Sequence, residues 1–268
     1  MKTLIVGVGP ARCMTTFFTR QIASNKKIFI PERKEVNLLH LKNLDISRYE
    51  KIMFNNDKLI SLDYTNNYSL EIENVKKNID QLRNNIDLKV QFLFFYRDPV
   101  KRFISHIELL CDRNGKSYDK LNNNVIENCM NQSIYSNMLS QLDKRITFIY
   151  NMDEAINDID LFSKNISNFL NINMQKFNIS INIGKSKKIR CYIIEKYRQN
   201  LYLFLEKNDF DWLIGLLRKS VIIKFLKRTN TYEDKDKTKE IIKNFYKNEI
   251  NKIKSDKDDF NEMIESFK

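Results

Sequence analysis

Two short segments of this chain combine residue types that hold anions. The first runs from Leu4 to Phe18, where an apolar stretch (Leu4–Val8) enters the loop GPARCMTT (Gly9–Thr16) and then continues as a helical pattern. A strand, a tight loop and a helix start leave backbone N–H groups unpaired, and the helix dipole favours negative charge there. Thr15 and Thr16 add hydroxyl donors, and Arg12 adds a planar fork suited to phosphate or sulfate oxygens. The loop has the length of a G-x-x-x-x-G-K-S/T nucleotide loop, but Met14 and Thr15 stand where that pattern needs Gly and Lys. The second segment, YRDPVKRFISH (Tyr96–His106), again closes a buried-strand pattern with a basic turn and a helix. Arg97 would lie at the carboxyl end of its strand, where open α/β sheets bind ligands. Ser105, about two helical turns further on, could face the same mouth.

These segments need a scaffold of strands with helices between them. Leu4–Val8, Ile28–Pro31, Leu59–Asp63, Val90–Tyr96 and Ile146–Tyr150 read as strands, rich in Ile, Val, Phe and Tyr. Helical stretches are expected at Thr15–Asn25, Tyr68–Asn84, Val100–Cys111 and Ser133–Leu142. The alternation predicts an α/β fold, a parallel sheet flanked by helices. Beyond Asn151 the three- and four-residue apolar spacing predicts a mostly helical C-terminal part, with helices at Asp158–Leu170, Ile189–Leu205, Trp212–Leu226 and Thr238–Lys254. We read one domain over residues 1–268, with residues 1–151 as its α/β core and 152–268 as its helical part.

Composition limits what such a scaffold could do. Five glycines and three prolines in 268 residues argue against a turn-dense β-sandwich. The formal charge of +12 favours an anionic partner without separating nucleic acid, a phosphate cofactor and an acidic glycan. Cys13, Cys111, Cys129 and Cys191 form no CxxC pair, and with two histidines in the chain a zinc site is not expected. They read as reduced thiols of a cytoplasmic protein. The first apolar run is too short for a signal peptide or a spanning helix.

Taken together, GPARCMTT and YRDPVKRFISH resemble the two cofactor motifs of the sulfotransferase superfamily, which uses 3′-phosphoadenosine 5′-phosphosulfate (PAPS). The first is similar to its phosphosulfate loop, G-x-P-K/R-S/C-G-T-T, and the second to its 3′-phosphate motif, R-D/N-P-x-x-R-x-x-S-x-Y/W. Met14 replaces the loop glycine, the loop proline comes one place early at Pro10, and Ile107 replaces an aromatic residue. Fainter likenesses follow in LDYTNNY (Leu62–Tyr68), similar to D-x-S/T-P-x-Y with Asn66 for proline, and in SIY (Ser133–Tyr135). NIGKSKKIR (Asn182–Arg190) resembles the basic loop that closes over the nucleotide. The family's usual terminal tryptophan is missing around Met263.

The resemblance implies a PAPS-dependent transferase with a P-loop-like parallel sheet, PAP as product and no metal. It implies that Arg12, Cys13, Met14, Thr15 and Thr16 cradle the phosphosulfate, with Arg12 also catalytic, and that Arg97 and Ser105 take the 3′-phosphate. Lys187 and Lys188 would close over the nucleotide. A base for the acceptor proton is expected after the second strand, in IPERKEVNLL (Ile30–Leu39), which holds Glu32 and Glu35. Glu35 falls on the family's carboxylate position, with His40 as its rival, and His106 reads as structural. The acceptor, a glycan or small molecule bearing a hydroxyl or amine, is not specified. A magnesium-dependent P-loop kinase and a basic nucleic-acid-binding protein are the competing readings.

Overall fold

The computed structural model describes residues 1–31, 35–54, 57–114, 117–174, 177, 187–189, 227–229 and 235–267. Its centre is a sheet of five parallel strands: β1 (Lys2–Gly7), β2 (Ile28–Phe29), β3 (Ile60–Tyr64), β4 (Leu88–Tyr96) and β5 (Thr147–Asn151). They lie in the order β2-β3-β1-β4-β5. The chain therefore steps from β1 to the edge at β2, returns to insert β3 between them, and then crosses to the other side of β1 to lay down β4. That reversal opens a crevice at the carboxyl ends of β1 and β4, the usual ligand position in such sheets.

The strands are mostly apolar because both faces are covered, with Ser61, Asp63 and Gln91 as buried polar exceptions. Strand alternation divides each run between two cores. Leu4, Val6, Val90, Phe92 and Phe94 face one core with α2 (Ile46–Phe54), α3 (Ile72–Asn85), α6 (Tyr135–Leu139) and the carboxyl-terminal helix α10 (Lys247–Phe267). Ile5, Leu62, Tyr64, Leu93 and Phe95 face the other, with α1 (Thr15–Ala23), α7 (Met152–Asn157) and α8 (Ile159–Leu170). There the rings of Phe18 and Phe95 meet edge to face at 4.5 Å. Full burial of one such ring stabilises the fold by about 1.5–3 kcal/mol. A third cluster joins α4 (Pro99–Asn114) and α5 (Asn123–Asn131) to α9 (Lys235–Phe245) and α10.

Several expected elements have different limits. The stretch from Tyr68 opens as a 3-10 turn over Asn66–Leu70 before α3 begins. The helix expected over Ser133–Leu142 contracts to Tyr135–Leu139, because Ile134 is extended and breaks it from α5. Its start is held from α10, where the Asp256 carboxylate accepts from the Tyr135 N–H at 2.8 Å and from the Ser136 hydroxyl. The last amphipathic stretch forms two helices, α9 and α10, that meet at Tyr246. Helix α2 lies where no helix was expected. Beyond Asn151 a short antiparallel pair, β6 (Lys187–Ile189) and β7 (Lys227–Thr229), interrupts the helical part, and β6 runs beside α4. The helix expected over Trp212–Leu226, and all but the first residue of the one over Ile189–Leu205, lie outside the described residues. Among the described residues no helix is long and apolar enough to cross a membrane.

Candidate active site

The loop after β1 is drawn tightly over the ends of its neighbours. A Cβ on Gly9 would stand 2.7 Å from the Tyr64 hydroxyl oxygen and 2.8 Å from the backbone nitrogen of Phe95, so only glycine lets the loop pass this close. Arg12 (φ 74°) and Met14 (φ 55°, ψ 18°) then take left-handed conformations. Met14 occupies the place of the family glycine, and the structure demands there the backbone geometry that glycine adopts freely. A non-glycine residue in that region costs on the order of 1 kcal/mol. Met14 is also the residue before the first turn of α1, and it has no side-chain oxygen with which to cap it. The helix amino terminus thus faces the crevice without an acidic or hydroxyl cap of its own.

The structure brings the two motifs together. Arg12 Nε donates to Ser105 Oγ at 3.0 Å, joining residues 93 apart in the chain. Thr15 is buried and Thr16 is exposed at the mouth. Cys13 is fully buried, so only its backbone can serve a ligand. Burial pushes its thiol up to about 11, although the Arg102 and Arg97 guanidinium charges oppose the rise. Both arginines of the second motif are therefore felt within the first loop.

Arg97 does not pair with its neighbour Asp98. Its Nη2 meets Asp153 Oδ1 at 3.4 Å, while Asp98 accepts from the Lys101 N–H at 2.8 Å at the start of α4. Arg97 also lines a cleft of about 360 Å³ between the ends of β4 and β5 and α10. Arg102, which the motif pattern contains but which was not singled out as a ligand, is wholly buried. It donates to Gln132 Oε1 at 3.2 Å and to the Cys129 carbonyl at 3.0 Å, and its Nη2 meets His106 Nδ1 at 2.7 Å. The Nε atoms of Arg97 and Arg102 are buried without a hydrogen-bond partner. An unmatched donor on the partly exposed Arg97 suits an anion, whereas Arg102, with no exposed surface, can act on one only through its charge. Lys187 and Lys188 lie on β6, whose backbone passes alongside α4.

Beneath the opposite rim, Asp63 organises the segment after β2. Its fully buried carboxylate accepts from the hydroxyls of Tyr68 (2.6 Å), Thr65 (2.9 Å) and Tyr49 (3.1 Å) and from the Val36 backbone N–H. Burial raises its pKa to about 6 against the pull of those donors. Anchoring Val36 places Glu35 at the rim, where Glu35 Oε1 accepts from Asn66 Nδ2 at 2.6 Å. Thr15 Oγ1 in turn donates to Asn66 Oδ1 at 3.2 Å. Glu35 is thereby tied through one side chain to the loop after β1. His40 sits further along the segment, its ring 5.7 Å from that of Tyr68, and burial lowers its pKa against the opposing charge of Glu71. Glu32 lies outside the described residues. Asn66 and Asp153 were not foreseen as site residues. Asn66 was visible only as a polar residue in place of a motif proline, and Asp153 carried no sequence signal.

No family model matches the sequence, and no curated protein does. Among solved structures, the fold matches a sulfotransferase from Alicyclobacillus acidocaldarius with a TM-score of 0.55 at 14% identity, over 83% of this chain and 98% of that one. The sulfotransferase domain from the curacin biosynthetic pathway superposes with a TM-score of 0.45 at 15% identity, over 65% of this chain and 76% of that one. Mouse sulfotransferase SULT7A1, complexed with PAP, does so with a TM-score of 0.43 at 13% identity, over 65% and 59%. The first likeness shows that the chain has a sulfotransferase-like α/β fold; the other two add no weight to it.

Proposed function

We propose that this chain, as one domain over residues 1–268, is a cytoplasmic sulfotransferase that takes a sulfuryl group from PAPS and passes it to a hydroxyl or amine. The observation that carries the reading is the Arg12–Ser105 contact. It unites a phosphosulfate-type loop with a 3′-phosphate-type helix in the crevice where the strand order reverses. The unmatched Nε donor of Arg97 adds to it. PAPS supplies a sulfuryl group on a phosphate whose bridging oxygen leaves with the electron pair.

The chain's part in that chemistry is placement and charge. Arg12 and the start of α1, with Cys13, Met14, Thr15 and Thr16, neutralise the leaving phosphate. Arg97 and Ser105 hold the 3′-phosphate, and the strand bearing Lys187 and Lys188 closes beside them. Glu35 accepts the acceptor's proton, with His40 as the alternative base. The acceptor itself is a glycan or a small molecule, bound by surfaces these residues do not define.

A thermal-shift comparison of PAP, AMP and ATP tests the reading. PAP at about a hundred times its Kd should stabilise the protein by about 2.7 kcal/mol, and AMP at the same concentration by much less. Equal shifts with PAP and AMP would remove the 3′-phosphate site. Transfer that stops in excess EDTA and returns with magnesium would favour the kinase reading instead. Steeply salt-dependent binding to random DNA would favour the nucleic-acid one.

A further inference from the structure

We infer that Asn66 is a positioning residue, which holds the candidate base Glu35 in fixed relation to the loop that carries Thr15. The inference rests on the sulfotransferase reading with Glu35 as base. An amide can donate and accept from the same side chain, and here it does both. Asn66 Nδ2 donates to Glu35 Oε1 at 2.6 Å, and Asn66 Oδ1 accepts from Thr15 Oγ1 at 3.2 Å. The orientation of the amide follows from its partners, since an ionised carboxylate only accepts and must face the NH₂ group. Proline, the residue of the family pattern at this place, could make neither bond.

The backbone that carries this amide is itself held. The Asn66 main-chain carbonyl accepts from Ser69 Oγ at 2.7 Å, and the residue before it, Thr65, donates through its hydroxyl to the buried Asp63. Thr65 Oγ1 also accepts from the Asn37 N–H at 3.3 Å, and the Asn37 side chain donates back to the Glu35 carbonyl at 3.3 Å. The Asn66 side chain and the Glu35 backbone are thus referred to one platform at the end of β3. A glutamate side chain left free on a rim samples many rotamers, and holding it in one removes that entropy cost before the reaction.

In the transfer, the acceptor oxygen forms a bond to sulfur. The bond from sulfur to the bridging oxygen breaks, with its electron pair staying on the phosphate, and the acceptor proton passes to the Glu35 carboxylate. Asn66 is assigned no contact with the acceptor, the sulfur or the bridging oxygen, and acts only through its bond to the Glu35 carboxylate. Its contribution is to keep the carboxylate where the proton leaves, in register with the loop that holds the leaving group.

A double-mutant cycle separates this role from a merely structural one. The reaction followed is the slow release of labelled sulfate from radiolabelled PAPS with water as acceptor, alongside PAP titration of each variant. Glu35→Gln should lower turnover about 10²–10⁴-fold. Asn66→Ala should lower it about 10–100-fold while PAP affinity stays within about threefold, the pattern of an interaction that serves turnover and not binding. Asn66→Ser, a smaller polar residue that cannot span both partners, should behave alike. In the Glu35→Gln background, Asn66→Ala should cost nothing further, because it acts only through the missing base. Losses that multiply in the double variant, or an Asn66→Ala protein with normal turnover beside a dead Glu35→Gln one, would overturn the positioning role alone. Normal turnover in Glu35→Gln would overturn the base assignment beneath it, and with it the role of Asn66.

Discussion

Replacing Asp63 by asparagine should change how folding stability depends on pH. The carboxyl group is fully buried at the end of β3, and burial lifts its pKa to about 6, whereas in an unfolded chain it ionises near about 3.9. Between those values the folded protein keeps a proton that the unfolded chain has released. The group's contribution is therefore most favourable below about pH 4, declines as pH rises, and levels off above about pH 6. A gap of roughly two pKa units at about 1.4 kcal/mol each gives a total near 3 kcal/mol. About 2 kcal/mol of it falls between about pH 4.5 and about pH 7.5, a range accessible to urea unfolding. Measuring both proteins across that range cancels the carboxylates they share. Asp63→Asn starts less stable, because the Tyr49, Tyr68 and Thr65 hydroxyls lose an acceptor oxygen. Its deficit should then shrink by about 2 kcal/mol as pH rises. Parallel profiles would refute the claim that burial governs this group. A deficit that grows with pH would mean that the converging donors outweigh desolvation.

Arg97→Ala should weaken PAP binding by roughly 2–5 kcal/mol, measured by titration, with little change in melting temperature, since its ion pair with Asp153 is partly exposed. Gly9→Ala forces a methyl group to 2.8 Å from the backbone of Phe95. It should cost about 1–3 kcal/mol in a urea melt and weaken PAP binding, whereas an unchanged melt and affinity would show that the loop can lift. Asp256→Ala removes the carboxylate that accepts from the start of α6. It should lower stability by about 1 kcal/mol, read as a shift in urea midpoint at constant slope.

Much of this site could be read from the chain because it depends on near neighbours. Arg12, Thr15 and Thr16 come within eight residues of the end of one apolar run, and Arg97 and Ser105 within nine of another. A strand entering a helix through a short turn is decided by local backbone geometry and by the period of the apolar residues. The same period places Ile5 and Leu4 on opposite faces of one strand. Strand and helix limits shifted where the deciding contacts came from elsewhere. The helix after Ser133 is short because Ile134 is extended and Asp256, 121 residues beyond Tyr135, meets its first turn. A window along the sequence contains no trace of that carboxylate.

What the tertiary structure decided is which side chains meet. Once β4 lies beside β1, Arg12 reaches Ser105; once β3 lies on its other side, Asn66 stands between Thr15 and Glu35. Apolar alternation says that a strand is buried, but it is the same for every order in which five such strands could be laid down. Arg97 likewise has an adjacent carboxylate in Asp98, yet it pairs with Asp153, because β5 delivers the latter to the same end of the sheet while Asp98 serves the start of its own helix. Local turns thus set which residue types end each strand, and the strand order decided that Arg12 meets Ser105 and that Asn66 holds Glu35.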